Sequence, residues 1–241
     1  MFRHLTTGAV VLTLGLATSG ASAALTASYQ GYGTFQTHGV GYSSNQAWNS
    51  TSAVTMFNLK LAEHRWTMDG HTVYTWCAQL YQGITAGSSY TYDAVALELA
   101  PQSPPAPGAM GPAKATILRD AMHRFLDADG RANTALGSQA ASTAAFCALA
   151  WEIIHENLAT SDVDVARSRL SLQTGAFRAN LSGEAAVVFS EMVSALGSDG
   201  YRSVNAEGWA SPTAQDQFRL IPAPGALALL GLAGLAGRRR R

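Results

Sequence analysis

The sequence predicts an α+β fold: an antiparallel sandwich- or barrel-like sheet with an inserted bundle of about three helices. Three features carry this reading. Residues 24–99 are rich in Thr, Ser, Tyr, Val and Gly and contain runs that alternate apolar with polar side chains. Residues 100–112 hold a proline cluster that no helix or central strand tolerates. Residues 113–197 then show helical periodicity, and 198–220 return to short extended runs. Strands, then helices, then a closing strand is an α+β order.

In chain order, "MFRHLTTGAVVLTLGLATSGASA" (1–23) comes first. It has a basic start at Arg3, an apolar run, and small residues at Ala21 and Ala23. That layout is a secretory signal peptide with cleavage expected after Ala23. The segments "TASYQGYGTFQTHGVGY", "AVTMFNLKLAEHRW", "HTVYTWCAQLYQGI" and "SYTYDAVALEL" read as strands. Met68–Asp69–Gly70 is a turn between two of them, because Asp-Gly accepts positive φ. A second turn is expected at "TAGSS" (85–89). Past the prolines, "PAKATILRDAMHRFLDA" is a helix with Pro112 near its start. "SQAASTAAFCALAWEIIHENL" is a longer, more apolar helix. "SGEAAVVFSEMVSALG" is a third, with Ser182 as expected N-cap and Gly197 as expected stop.

Residues 221–241 are "IPAPGALALLGLAGLAGRRRR". Pro222 and Pro224 stop a helix from extending upstream. The apolar run Gly225–Gly237 would span about 20 Å, short of a hydrocarbon core of about 30 Å. Arg238, Arg239, Arg240 and Arg241 suit a cytoplasmic end. This tail resembles a PEP-CTERM sorting signal, with Ala223 where that family usually carries glutamate. The resemblance implies export, signal peptidase and an exosortase-type sorting enzyme as partners, at least transient membrane retention through the tail, and a place in the cell envelope or at the cell surface.

The whole chain has 16 basic and 16 acidic residues. Setting aside Arg3 and the four terminal arginines leaves eleven basic against sixteen acidic in the ectodomain, 24–220, a balance of about −5. No basic patch is left for nucleic acid.

Cys77 and Cys147 are the two cysteines. Independent buried thiols, a metal pair and a disulfide are all open; the expectation is a Cys77–Cys147 disulfide. It would close a loop of about 70 residues, a constraint of about 4 kcal/mol.

"TWCAQLYQGITAGSSYTY", a proline-rich gap and "AAFCALAWEIIHE" together resemble the thioester-type domain of bacterial surface proteins. There a strand cysteine and a helix glutamine condense into an internal thioester. The resemblance places Cys77 on the family cysteine and Trp151 and Glu152 on the structural end of the helix motif. Cys147 stands where the glutamine is expected, four before Trp151. It therefore implies a disulfide in place of the thioester, and a structural or adhesive surface module without catalysis.

Other patterns are incomplete. "WEIIHE" lacks the second histidine of a zinc protease helix, and there is no Gly-x-Ser-x-Gly elbow or phosphate loop. "DADGRANTALGSQ" lacks the closing acid of a calcium loop. His64, His71, His123 and His155 do not share a ligand spacing, so no metal or other cofactor is expected. Trp48, Trp66, Trp76 and Trp209 could form an aromatic platform, which makes an extracellular polysaccharide-binding module the first alternative. A covalent thioester adhesin, using Gln79 or Gln139 as donor, is the second.

Overall fold

The computed structural model describes residues 23–102 and 107–221. The segment read as a signal peptide, with Ala21, and the tail read as a sorting signal, with Pro222, Pro224 and Arg238–Arg241, lie outside the described residues. The elements run β1 (Ala23–Tyr42), β2 (Met56–Met68), β3 (His71–Cys77), β4 (Ser89–Ala96), a 3-10 turn (Leu97–Leu99), α1 (Gly111–Phe125), α2 (Gln139–His155), α3 (Val163–Ser168), β5 (Phe177–Asn180), α4 (Gly183–Ala195), β6 (Ala206–Ala210) and β7 (Gln217–Leu220). An antiparallel seven-stranded sheet and four helices make the expected α+β architecture.

The sheet closes on itself. β1 pairs through Ala23–Ser28 with β4, and from Ser28 to Gly41 with β2. β2 pairs with β3, β3 with β7, β7 with β6, and β6 with β4, so these six strands form a ring. Closure removes most of the exposed edge that an open sheet would carry. β5 stands outside the ring on the far end of β1, against Gly39–Tyr42. Irregularities at Tyr29/Gly31 and Tyr32/Phe35 bend β1. Gly31 takes φ +102° there, a conformation suited to glycine. The β2–β3 hairpin turns at Asp69 and Gly70, φ +51° and +78°, as Asp-Gly predicts.

Register places Tyr29 and Val73 beside Trp66, Ala94 and Gln217 beside Trp209, and Cys77 beside Gln217. These residues share the inner face of the ring. Its core is Ala27, Tyr29, Trp66, Tyr92, Trp209 and Ala214. The opposite face supplies Leu61, Trp76 and Phe218, which pack on Ile117, Phe146, Leu149 and Ile153 of the helices.

α2 occupies the centre of this second layer. It touches α1, α4, β1, β2 and β5, and every residue from Ala141 to His155 is buried. A helix apolar on all sides must be enclosed, which is what its composition asked for. The Ser138 hydroxyl accepts from Ala141 N at its start. Ser182 does occupy the N-cap position of α4, but its side chain makes no capping bond. Instead, Glu184 in the first turn of α4 accepts from the Ser138 amide and hydroxyl, joining the starts of both helices. The stretch read as mainly helical, 113–197, also contains β5. The strand exists because β1 extends beyond the ring and offers Gly39–Tyr42 for pairing.

Candidate functional site

Cys77 is the last residue of β3 and sits at the mouth of the ring, where the chain turns away. Three contacts fix that turn. The Trp151 indole Nε1 donates to the Cys77 carbonyl at 2.8 Å, fastening α2 to the strand end. Ala78 N donates to Asp216 O at 2.8 Å. Asp216 N in turn donates to the Gln79 side chain, and Gln215 Nε2 to the Gln79 carbonyl.

Cys77 and Cys147 come to the same junction, but they are not bonded; both are free, buried thiols. This corrects the expected disulfide, and the reason is local. The Cys77 thiol donates to the Gln79 carbonyl. The Cys147 sulfur lies against the backbone amide of Ala62. Ala62 is one step beyond the Glu63–Trp76 pair in the β2–β3 register, opposite the end of β3. Each sulfur is thus satisfied by backbone at its own position. Burial pushes the Cys77 thiol well above its ordinary range, and the neighbouring Cys147 thiol pushes the same way. Burial also pushes Cys147 up to about 12. Both are protonated at neutral pH, and a thiol is a poor nucleophile beside its thiolate.

Behind Cys77 the ring interior is partly polar. His64, on β2, lies with the Tyr29 and Tyr32 rings each 5.3 Å from its own. Burial holds its imidazole down to about 4, with the Gln217 side chain opposing. Its Nδ1 and the Tyr29 hydroxyl are buried without a hydrogen-bond partner. Further in, Trp66 Nε1 donates to the Thr75 hydroxyl, which donates to Gln217 Oε1. A cavity of about 200 Å³ opens over this group, bounded by Tyr32, His64, Cys77 and Trp151.

The end of α2 ties most of its polar groups to the fold, while Glu152 Oε2 and His155 Nε2 are buried without a hydrogen-bond partner. Glu152 is fully buried, accepts from Ser171 N at 2.8 Å, and has its carboxyl raised well above the usual range by burial. His155 Nδ1 meets the Trp151 carbonyl, and burial holds the ring down to about 3. Glu156 accepts from the amides of Asn157, Ala176 and Phe177. Lys114, on α1, donates to the Ile154 and Glu156 carbonyls, capping α2; burial draws its amine down to about 8. Trp151 and Glu152 are therefore structural ties. Sequence reasoning missed Lys114 and the role of Glu156, and weighed His64 only as a metal ligand. A buried acid and lysine near a helix end leave no mark in sequence spacing, because their partners are backbone groups of distant loops.

The remaining candidates are dispersed. His64 and His155 are buried in separate places, while His71 and His123 are exposed. Among the described residues no three His, Cys, Asp or Glu side chains gather as a metal would require. The Asp127 carboxylate accepts from the amides of Asp129 and Arg131, forming a polar turn. Trp66, Trp76 and Trp209 are fully buried and cannot form a surface platform. Trp48 is half-buried beneath the Arg169 guanidinium. Gln139 donates to the Ala132 carbonyl at the start of α2, at the opposite end of the helix from Trp151. No described helix is long and apolar enough to cross a membrane. Comparison with protein-family models, curated proteins and solved structures gives no match for this chain.

Proposed function

We propose that the protein is an exported, non-catalytic component of the cell surface or extracellular matrix, structural or adhesive in role, with a thioester-domain-like ectodomain carrying two cysteines where related domains carry cysteine and glutamine. The observation that supports it is the junction of β3 and α2. Cys77, at the end of the strand, meets Cys147 and Trp151 of the distant helix there, with the two thiols unbonded. The nucleophile-type groups at that point are buried and protonated, Glu156 is committed to backbone amides, and Glu152 and His155 each give one polar atom to backbone. Such a site joins a ring of strands to a helical layer; it does not offer a reactive carbonyl. The tail and the leading segment supply the route outward and the retention.

Fractionation tests the placement. The full-length chain should label on intact cells and partition with the envelope, while a chain ending at Ile221 should pass into the medium. Recovery of both from the cytoplasm with residues 1–23 attached would sink the proposal. Intact mass of the unreduced exported protein tests the chemistry: a mass lower by one ammonia would mean that a thioester forms and would overturn the non-covalent role.

A further inference from the structure

The cavity at the ring mouth combines a small volume, a single charge and an unmet hydrogen bond. At about 200 Å³ it falls below the range of drug-sized sites and holds the equivalent of about seven waters. Lys60 and His64 lie four residues apart on β2 and so share one face, and Tyr32 of β1 pairs with His64. The Tyr32 ring stands 4.8 Å from the Lys60 ammonium and 5.3 Å from the imidazole, so one flat group can reach both. Trp151, Leu80 and Ile84 add apolar wall. Lys60 is the charged side chain at this cavity, His64 being held neutral, and among the described residues no carboxylate lines it. Asp216, whose charge reaches Cys77, spends its carboxylate on the Gln102 and Ser211 amides. His64 is only 5% exposed, and its Nδ1 has no hydrogen-bond partner; the Tyr29 hydroxyl, deeper in the ring, has none either. A buried polar atom left unpaired is costly, which favours a partner arriving from the cavity.

We propose that this cavity binds a small, free, single-ring organic acid that also carries a hydroxyl, a molecule of the hydroxybenzoate type. Its carboxylate meets the Lys60 ammonium at the rim, its ring lies against the aromatic wall of Tyr32 and Trp151, and its hydroxyl reaches His64 Nδ1. Each part answers a separate feature of the site. The ammonium, with no acid beside it, selects an anion. The flat walls select a ring, since aromatic groups gain from offset or edge-on contact beyond the area they bury. A neutral imidazole nitrogen is a donor or an acceptor according to its tautomer, and a hydroxyl serves both. Cys77 also borders the cavity, but its thiol donates to the Gln79 carbonyl and stays protonated, so binding is non-covalent. The inference goes beyond the surface role proposed above and does not depend on it.

The test is titration of the full-length protein, followed by NMR, with 3- and 4-hydroxybenzoate, benzoate and 4-hydroxybenzamide. Saturable binding of a hydroxybenzoate is expected, with movement of the His64 imidazole resonances. Benzoate, which lacks the hydroxyl, should bind about fivefold more weakly and move those resonances less. 4-Hydroxybenzamide, which lacks the charge, should bind about threefold more weakly. Lys60→Gln should weaken the acids by the same factor and leave the amide unchanged. Tyr32→Leu should weaken every ligand by about threefold. Both substituted side chains are exposed, and circular dichroism of each variant confirms folding. No saturable binding of either hydroxybenzoate overturns the proposal, as does binding that leaves His64 unmoved or affinity that is equal for acid and amide. A peptide ending in tyrosine presents the same hydroxyl and carboxylate, so acetyl-glycyl-tyrosine forms a further arm. Tighter binding of that peptide than of the free acids would assign the site to a chain end and overturn the small-molecule reading. The fractionation result stands apart: a chain recovered from the cytoplasm that binds the acid refutes the placement, and a surface chain that does not bind refutes the ligand.

Discussion

His64 is enclosed by Tyr29 and Tyr32 inside a ring of strands, and the structure leaves room for its neutral form only. In an unfolded chain its proton is taken up near pH 6.5; in the folded protein burial delays this to about 4. Between those values the unfolded state binds a proton that the folded state refuses. The free energy of unfolding therefore falls as pH is lowered through this window, by up to ~1.4 kcal/mol per pH unit. The contribution is whole above pH 6.5 and is lost as pH falls through about 4. His155 acts in the same sense, and Glu152, with its raised carboxyl, acts against both. His64→Gln isolates one part of this balance. Urea unfolding between pH 7 and 4.5 should give a shallower loss of stability in the variant, by about one proton. Parallel profiles for variant and parent would show that His64 is not the group responsible.

At the scale of elements, α2 decides how much can be read in advance. Its composition, apolar on every side, marks it as the enclosed helix, and the alternation in β1 to β4 marks the strands. What escaped reading was decided by pairing between distant segments. β5 is four residues, Phe177–Asn180, too short for a period, and forms only because β1 overruns the ring. In β2 the alternation disappears from Leu61 to His64, all four buried, because one face meets the ring interior and the other meets α2. That loss hid His64 as part of the site. The cysteines show the same limit: the sequence placed them at one junction, and the backbone partners at Gln79 and Ala62 that keep them apart were not legible.

The C-terminal end of α2 gives a prediction at this scale. Gly175 has φ +94°, and a Cβ there would lie 1.8 Å from the Glu156 carboxylate that holds Ala176 and Phe177. Gly175→Ala therefore strains the backbone and displaces the strap at once, costing about 2–4 kcal/mol. Urea midpoints measure it, and a loss below about 0.5 kcal/mol would mean that the strap moves freely.

Over the whole molecule, two apolar cores lie on opposite faces of one closed sheet, and the question is whether they melt together. Four ties hold the helical layer to the sheet that both cores share. Trp151 reaches the Cys77 carbonyl, Trp76 packs at 4.6 Å on Phe146, and the Trp76 indole donates to the Gly130 carbonyl at 2.9 Å. Arg131 closes a 2.8 Å ion pair with the fully buried Glu63 of β2. Removing one partner of such a pair leaves a buried charge uncompensated, so neither layer is stable with the other peeled away. Each strand of the ring also takes part in the shared sheet, so the ring cannot open without losing the surface on which α2 rests. Unfolding should then be one cooperative transition. Two probes follow the transition: tryptophan fluorescence, to which Trp66 and Trp209 in the ring interior contribute alongside Trp76 and Trp151, and alkylation of Cys77 and Cys147 at the helical junction. Their urea curves should coincide, and Trp151→Phe, which keeps the ring but removes the indole donor, should lower both midpoints together by about 1 kcal/mol in stability. Thiols that react at lower urea than the fluorescence transition would show that the helical layer detaches first, and that these ties do not bind the two cores into one unit.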